Sequence, residues 1–239
     1  MKKLIVPFVL AVLFLSASSF LLNNPHLPSF YYLSQKDFKV EAFTSIHIGV
    51  SADVHYSVGN KHSVKVDGDP ADIEDLIVEV QNGALSIRYE KNHKKRSKLD
   101  IHIVSKALDG VKISGSAHFK TEDDITSDEI DLVISGSGEA QFGKLSADEV
   151  NVKISGSGDV LIDSGSADEC DAIISGSGKL AAEGFEVNEF SVKISGSGNC
   201  KITANEDLDA IVSGSGSVFY QGNPRVNSVV SGSGKVKSL

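Results

Sequence analysis

The sequence contains little cysteine and little proline, and its basic residues are fewer than its acidic ones. The two cysteines, Cys170 and Cys200, lie far from the N-terminus, which excludes a lipid anchor attached to a cysteine there. None of the five prolines falls within the alternating apolar segments described below, as strand structure requires. Lysine and arginine total 23 against 32 aspartates and glutamates, which argues against a nucleic-acid backbone as the main partner.

The motifs of common nucleotide-binding and hydrolytic sites are also missing. Gly178 and Lys179 suggest a phosphate-binding loop, but Leu180 follows them where a Walker loop needs serine or threonine. No histidine follows His118, so a serine–histidine triad cannot be assembled within the repeats. We therefore expect a non-enzymatic protein that needs no cofactor.

The N-terminus has the pattern of an export signal. Two lysines precede an apolar run from Leu4 to Leu22 that contains small residues near its end, the layout of a cleavable signal peptide. The alternative is an uncleaved anchor, because the run approaches the roughly 20 residues that span a bilayer. We assign residues 1–22 to a signal peptide and 23–37 to a tether. The protein is then expected in the periplasm, on the outer-membrane surface or outside the cell.

A repeated tetrapeptide, Ser-Gly-Ser-Gly, dominates the second half of the chain. Successive copies begin 21, 20, 20, 20, 18 and 18 residues apart. A fixed period near 20 residues is the signature of a solenoid, in which each repeat forms one coil stacked on the last. The copies begin at Ser114, Ser135, Ser155, Ser175, Ser195, Ser213 and Ser231, and the first of them ends in Ala117 instead of glycine.

Apolar residues alternate with polar ones on both sides of the tetrapeptide. Apolar columns lie one, three and five residues before its first serine, and five and seven residues after it. Alternation with a period of two predicts strands with one buried face. The pattern in residues 111–239 therefore predicts an all-β fold, a parallel β-helix (β-solenoid) whose coils carry an ISGSG motif. Residues 38–110 alternate without the tetrapeptide and predict less regular opening coils that also cap the solenoid, so that 38–239 form one continuous domain.

The two glycines of each complete copy allow two interpretations. If the tetrapeptide stays extended, the even spacing of the flanking apolar residues turns both glycines inward, where two walls come too close for a side chain. If the chain bends there, glycine supplies the positive φ of the corner. We expect both serines to face outward.

Acidic pairs come just before each strand that leads to the tetrapeptide. Stacking would place Asp148 and Glu149 roughly 4.8 Å from Asp168 and Glu169 in the next coil. Such a ladder is a candidate for a hard-cation site or for acid–base chemistry on a polysaccharide. Aspartate at these positions is also typical of turns, and we favour turns and predict no metal site.

Two outward surfaces are candidates for binding. The serine rows offer a regular lattice of hydroxyls, and the predicted binding surface consists of Ser135, Ser137, Ser155, Ser157, Ser175, Ser177, Ser195 and Ser197. The column two residues before the tetrapeptide contains aliphatic side chains that predict an interface between copies of the chain. These are Val133, Ile173, Ile211 and Val229. Partial shielding by neighbouring lysine stems is the alternative for that column.

Two further features have simple structural interpretations. Cys170 and Cys200 each replace a valine, phenylalanine or leucine in an inward column, so we expect buried thiols rather than a disulfide. The basic run from Lys91 to Lys98 separates two strands and predicts a solvated hairpin tip. A patch for acidic glycans or lipid headgroups is the alternative for this run.

The layout resembles the bacterial family of putative auto-transporter adhesins, head GIN domain, over about residues 38–237. The resemblance rests on FKVEAFTSIHIGVSADVHYSVGN, on VEVQNGALSIRYE and on the succession of ISGSG coils. It implies an exported envelope protein with a β-helical fold, and it supplies no catalytic or binding residues.

Together these features predict an exported, non-catalytic β-solenoid that acts as a binding, adhesin-like or envelope scaffold module. The expected partner is a surface glycan or an envelope protein. One alternative is a polysaccharide-active β-helix enzyme that uses the acidic ladder. Another is a protein that binds ice or a different ordered surface through the serine rows.

The register can be tested at two neighbouring residues. Ile154→Asp is expected to lower the free energy of unfolding severely, because it places an unpaired charge between stacked coils. Lys153→Asp changes an outward position and should shift that free energy by no more than about 0.5 kcal/mol. Equal losses for the two variants in chemical unfolding would show that the register is wrong.

Overall fold

A computed structural model of the protein describes residues 34–91 and 95–239. In these residues the chain forms one sheet of 17 strands and a single short helix. The helix is α1 (Pro70–Glu74), and the strands before the repeats are β1 (Ser34–Phe38), β2 (Ser45–Ile48), β3 (Ala52–Val58), β4 (Ser63–Gly68), β5 (Leu76–Gln81), β6 (Ala84–Tyr89) and β7 (Leu99–Ser105). The strands of the repeats are β8 (Gly110–Gly115), β9 (His118–Gly136), β10 (Glu139–Gly156), β11 (Asp159–Ile162), β12 (Gly165–Gly176), β13 (Lys179–Gly196), β14 (Asn199–Gly214), β15 (Ser217–Gln221), β16 (Arg225–Gly232) and β17 (Lys235–Ser238).

Strands of successive repeats stack in parallel and in register, which confirms the β-solenoid. The first glycine of each tetrapeptide lies beside the equivalent glycine of the next coil, from Gly136 to Gly156, Gly176 and Gly196. Each coil therefore closes after the number of residues that separates two copies of the tetrapeptide.

Each coil has three walls, called A, B and C below. In the coil of residues 139–156, wall A is 139–142, wall B is 145–147 and wall C is 149–156. Buried positions lie two residues apart within a wall, as at Val150, Val152 and Ile154. Between Phe142 and Leu145 the spacing of buried positions is three residues instead of two. This change of spacing marks a corner, because a bend reverses which side of the chain faces inward.

The inward columns form one continuous hydrophobic core. Residues five, three and one before the tetrapeptide are buried in successive coils, as the alternation predicts. The core includes Cys170 and Cys200, which are both free and fully buried. In β16, Val226 and Val230 continue two of these columns, but they are 41% and 40% exposed. Within the described residues, wall C of this coil pairs only with β14.

The two glycines of the tetrapeptide have different structural roles. Gly156 has a φ of 119°, which places it in the region that favours glycine. Gly158 is buried, and a Cβ there would lie 2.4 Å from the carbonyl oxygen of Gly138 and 2.5 Å from Cγ2 of Ile134. Each of the two interpretations is therefore correct for one glycine. The first glycine forms the corner, and both glycines permit close contact with the neighbouring coil.

Residues before the repeats form both opening coils and a cap. Strands β2 and β3 run parallel to β8 and β9 and extend walls C and A. Strands β1, β4 and β5 are antiparallel to their neighbours, and α1 contributes to this end. A tight hairpin connects β5 to β6, with positive φ at Asn82 and Gly83 (51° and 77°).

The prediction that residues 23–37 form a tether is wrong for residues 34–37. Residues 34–37 belong to β1, where Gln35 donates a side-chain hydrogen bond to Asp67 (2.7 Å) and the backbone pairs with β4. The ladder with β4 extends the cap by one antiparallel strand. The predicted signal peptide 1–22 and the rest of the tether lie outside the described residues. Within the described part of the chain, no helix has the length and apolarity needed to cross a membrane.

The basic run before β7 is not a hairpin tip, because β6 pairs with β2 and β5 whereas β7 pairs with β3 and β4. Arg96 from this run instead contacts the cap. Its guanidinium donates to Asp72 (3.0 Å) and to Asp75, and lies 3.9 Å from the ring centroid of Tyr89. Burial and the nearby Asp72 raise the pKa of Tyr89 to about 12, and the positive charge of Arg96 partly opposes this shift.

The steric role of the corner can be separated from its backbone conformation. Gly115 has nearly the same φ as Gly156, but a Cβ there would meet no atom within 4 Å, whereas at Gly156 it would lie 2.4 Å from the Gly136 carbonyl oxygen. Gly156→Val is expected to lower the free energy of unfolding by about 3 kcal/mol, through positive φ and overpacking together. Gly115→Val should lower the free energy of unfolding only by the cost of the positive φ, about 1–2 kcal/mol. Ser157→Val should lower it by less than about 0.5 kcal/mol. Thermal and urea melts measure all three, and a Ser157→Val loss as large as that of Gly156→Val would contradict the assignment.

The cap can be tested at its buried ion pair. Arg96→Ala leaves the buried Asp72 carboxylate without its main cation, so amide exchange in α1 and in the neighbouring strand β4 should accelerate by about tenfold or more. Arg88 pairs with Glu79 at 3.0 Å on an exposed surface, and Arg88→Ala serves as the matched control. Hydrogen exchange monitored by mass spectrometry distinguishes them. Unchanged protection of α1 in Arg96→Ala would show that the ion pair does not hold the cap.

Candidate functional site

Wall C is the longest continuous face of the solenoid, and its outward side chains form columns that run along the solenoid axis. Each outward residue lies beside its equivalent in the next coil, at the spacing of neighbouring strands, about 4.8 Å. From the wall B corner towards the tetrapeptide there are four such columns: an acidic column, a mixed column, a lysine and aliphatic column, and the first serine row. A partner that contacts wall C meets the same kinds of side chain at regular intervals.

The serine rows lie on the corner between walls C and A. All eight serines of the predicted binding surface are exposed, and within the described residues none of their hydroxyls forms a hydrogen bond with the protein. The backbone around them is fixed, since the amide of Ser157 donates to the Gly136 carbonyl (2.9 Å) and that of Ser177 to the Gly156 carbonyl (2.8 Å). The corner therefore presents ordered hydroxyls that remain available to a ligand. Their role in binding stays a prediction.

The lysine and aliphatic column lies beside the first serine row on wall C. Ile173, Ile211 and Val229 are 45%, 49% and 61% exposed, and Val133 is half-buried. They share this column with Lys112, Lys153 and Lys193, which are also exposed. The predicted interface between copies of the chain thus lies on one outward column, and its occupation by a second copy stays a prediction.

The acidic pairs occupy the corner between walls B and C and the first positions of wall C. Glu149 and Glu169 lie side by side in register, and Asp148 and Asp168 precede them at the bend. Neighbouring amides donate to these carboxylates: Asn151 to Glu149 (2.9 Å) and to Glu129 of the preceding coil (3.2 Å), and Asn188 to Asp168 (3.1 Å). The bonds from Asn151 to Glu129 and from Asn188 to Asp168 join one coil to the next, whereas the bond from Asn151 to Glu149 lies within one coil.

No set of three or more His, Cys, Asp or Glu side chains in the described part of the chain is arranged to hold a metal ion. The two cysteines are in the core, where burial raises the pKa of both thiols. Buried, protonated thiols are poor nucleophiles and poor metal ligands. The interior therefore contributes packing, and the chemical groups that a partner can reach are on the outward columns.

Two surface features on wall A were not anticipated from the sequence. The first is a depression of about 420 Å³ at Ala181. In successive coils, the outward column that contains Ala181 consists of Leu161, Ala181, Lys201 and Phe219. The small side chain of Ala181 leaves space between its larger neighbours, a signal that is visible in the repeat alignment.

The second feature is a stacked pair of histidines near the cap. The rings of His55 and His102 are 5.1 Å apart, and their Nε2 atoms lie 3.8 and 3.0 Å from Asp100 Oδ1. The sequence did not reveal this pair, because no tetrapeptide sets the register between β3 and β7.

Similarity to known proteins agrees with this geometry. Residues 42–224 match the family model described as "Putative auto-transporter adhesin, head GIN domain". No curated protein matches the chain.

Solved structures share the fold over almost their whole length. A putative adhesin from Bacteroides fragilis is 26% identical and has a TM-score of 0.81, with 87% of this chain and 97% of that chain covered. A putative adhesin from Parabacteroides distasonis is 26% identical, with a TM-score of 0.70 and coverage of 87% and 97%. A putative lipid binding protein from the same species is 22% identical, with a TM-score of 0.71 and coverage of 87% and 96%, and shows the fold alone. Because the family model covers most of the chain, this protein belongs to the family of putative auto-transporter adhesins with a head GIN domain.

Proposed function

We propose that the protein is an exported, non-catalytic binding module of the bacterial cell envelope. Its ligand is a surface glycan that lies along wall C and the serine corner, parallel to the solenoid axis. The observation that carries the proposal is the repetition of wall C, where outward columns stay in register through successive coils. A surface that repeats along one line is complementary to a partner that repeats along one line.

A glycan suits the chemistry of this surface. Sugars present hydroxyl groups around apolar ring faces, and wall C places free serine hydroxyls beside the exposed aliphatic side chains of Ile173 and Ile211. The backbone of the corner is held by hydrogen bonds between coils, so little ordering is required when a ligand binds. Preorganisation of this kind lowers the entropic cost of binding.

A binding role agrees better with the repetition than a catalytic role does. Catalysis needs one set of groups with different functions around one reacting centre, whereas wall C repeats its groups every one or two coils. Asp168 accepts a hydrogen bond from Asn188 of the next coil and so contributes to the stacking of coils, and Glu149 accepts one from Asn151 of its own coil. Export is supported by the signal-like N-terminus and by the family description.

Binding to the envelope tests this proposal. The full-length protein should co-sediment with isolated bacterial envelopes from which proteins have been removed by protease. Ser155→Val, Ser175→Val and Ser195→Val combined should weaken this binding roughly tenfold or more, because three hydroxyl partners are lost from one line.

The matched control lies on wall B, where Ser146 and Ser166 form a similar stacked pair of outward serines. Ser146→Val with Ser166→Val should leave binding unchanged, and the melting temperatures of both variants should match that of the wild type. Equal loss in the two variants would overturn the assignment to the serine corner. Binding that disappears when envelope proteins are digested would identify a protein partner instead of a glycan.

A further inference from the structure

One outward column of wall C alternates between two kinds of side chain. Through six successive coils it reads Lys112, Val133, Lys153, Ile173, Lys193 and Ile211, each in register with the next. The alternation ends there, because the seventh member of the column is Val229. Neighbouring coils are about 4.8 Å apart, so the lysines are about 10 Å apart along the solenoid axis, with an aliphatic side chain midway between them.

The adjacent column follows the same period of two coils. Beside the lysines it holds the neutral residues Gly110, Asn151 and Ser191, and beside the aliphatic residues it holds Asp131, Asp171 and Asp209. Within the described residues, Lys112, Lys153 and Lys193 form no ion pair within 4.0 Å. Their ammonium groups are therefore exposed and available to an external anion.

Mutual repulsion between lysines explains only part of this pattern. Lysines in adjacent coils would repel one another, and any neutral residue between them would prevent that. Serine or asparagine would serve equally, yet the intervening residues are aliphatic, and Ile173 and Ile211 are nearly half exposed. Exposed isoleucines at fixed intervals between cations are better explained by a ligand that has apolar surface at the same intervals.

The spacing identifies the kind of ligand. An extended polysaccharide advances by about one sugar per coil, so a polymer with one acidic sugar in every disaccharide would place a carboxylate at each lysine and a neutral ring over each aliphatic residue. A polymer with a charge on every sugar would also place carboxylates beside Asp131 and Asp171. Nucleic-acid phosphates are still more closely spaced, at about 3.4 Å along each strand.

The end of the column nearest the cap provides additional room. A depression of about 370 Å³ is lined there by Lys112, Val133 and His47. The ring of His47 lies 3.1 Å from the hydroxyl of Ser114. Burial and the positive charge of Lys112 lower the pKa of His47, so that near neutral pH its ring acts as a neutral hydrogen-bonding group beside the column.

We propose that the column from Lys112 to Ile211 binds a linear anionic glycan with one carboxylate in every disaccharide. The glycan lies parallel to the solenoid axis, with its carboxylates at the lysines and its neutral sugars over Val133, Ile173 and Ile211. This inference rests on the proposed function and adds the charge of the ligand and its period.

Three polymers of different charge period test the inference. Hyaluronan oligosaccharides carry one carboxylate per disaccharide, polygalacturonate carries one per sugar, and dextran carries none. Calorimetric titration of the full-length protein should give the tightest binding with hyaluronan. Lys153→Gln with Lys193→Gln should weaken that binding about tenfold and reduce its dependence on salt.

The control removes the same charge elsewhere. Lys144 and Lys201 lie outside wall C and pair with Asp124 (2.9 Å) and Glu183 (2.7 Å), and Lys144→Gln with Lys201→Gln should change the affinity by less than about twofold. Ile173→Lys tests the period directly, because it places a cation in each of three successive coils and should shift the preference towards polygalacturonate.

Several outcomes would overturn the inference. Polygalacturonate or dextran binding to the wild type as tightly as hyaluronan would contradict the period, as would equal losses in the two double variants. If dextran binds and this binding is lost in the variant that combines Ser155→Val, Ser175→Val and Ser195→Val, the proposed function is supported and the anionic ligand is contradicted. If no polymer binds and the protein does not sediment with envelopes, both proposals fail.

Discussion

The whole solenoid depends on a backbone contact at the glycine corner. The amide of Ser157 donates to the carbonyl of Gly136, and that of Ser177 to the carbonyl of Gly156. The accepting oxygen of Gly136 lies 2.4 Å from the place where a Cβ on Gly156 would be. The carbonyl that bonds to the next coil thus occupies the space of the missing side chain. Glycine is required because the hydrogen bond between coils and a Cβ cannot occupy the same space.

The corner also fixes the register of everything that follows it. Once the glycines stack, residues at the same distance from the tetrapeptide stack as well, in wall C before the corner and in wall A after it. Register shifts occur away from this contact, at residues 142–144 and 182–186, where walls A and B meet, and at residues 187–189, where walls B and C meet. Coil length therefore varies at these two corners, and wall C stays in register from its first residue to the tetrapeptide.

The repeat explains how much of the structure was predictable from sequence. The tetrapeptide marks the same place in each coil, so the buried columns, the outward serines and the buried Cys170 and Cys200 follow from simple alignment. The opening part has no such marker. There the alternation of β4 indicates a strand, but nothing local tells that β1 is a strand or that the two pair antiparallel to form a cap. Arg96 illustrates the same limit, because its contact with Asp72 joins residues that only the folded cap brings together.

The alternation on wall C is not a consequence of the solenoid itself. Coils 139–156 and 159–176 have the same walls, the same inward columns and the same corner, so stacking requires nothing at Lys153 that it does not require at Ile173. The structural columns accordingly repeat with a period of one coil. The period of two coils in the lysine column and in the aspartates beside it follows in part from charge, because it keeps lysines out of adjacent coils. The exposed isoleucines between the lysines are the part of the pattern that the proposed ligand explains.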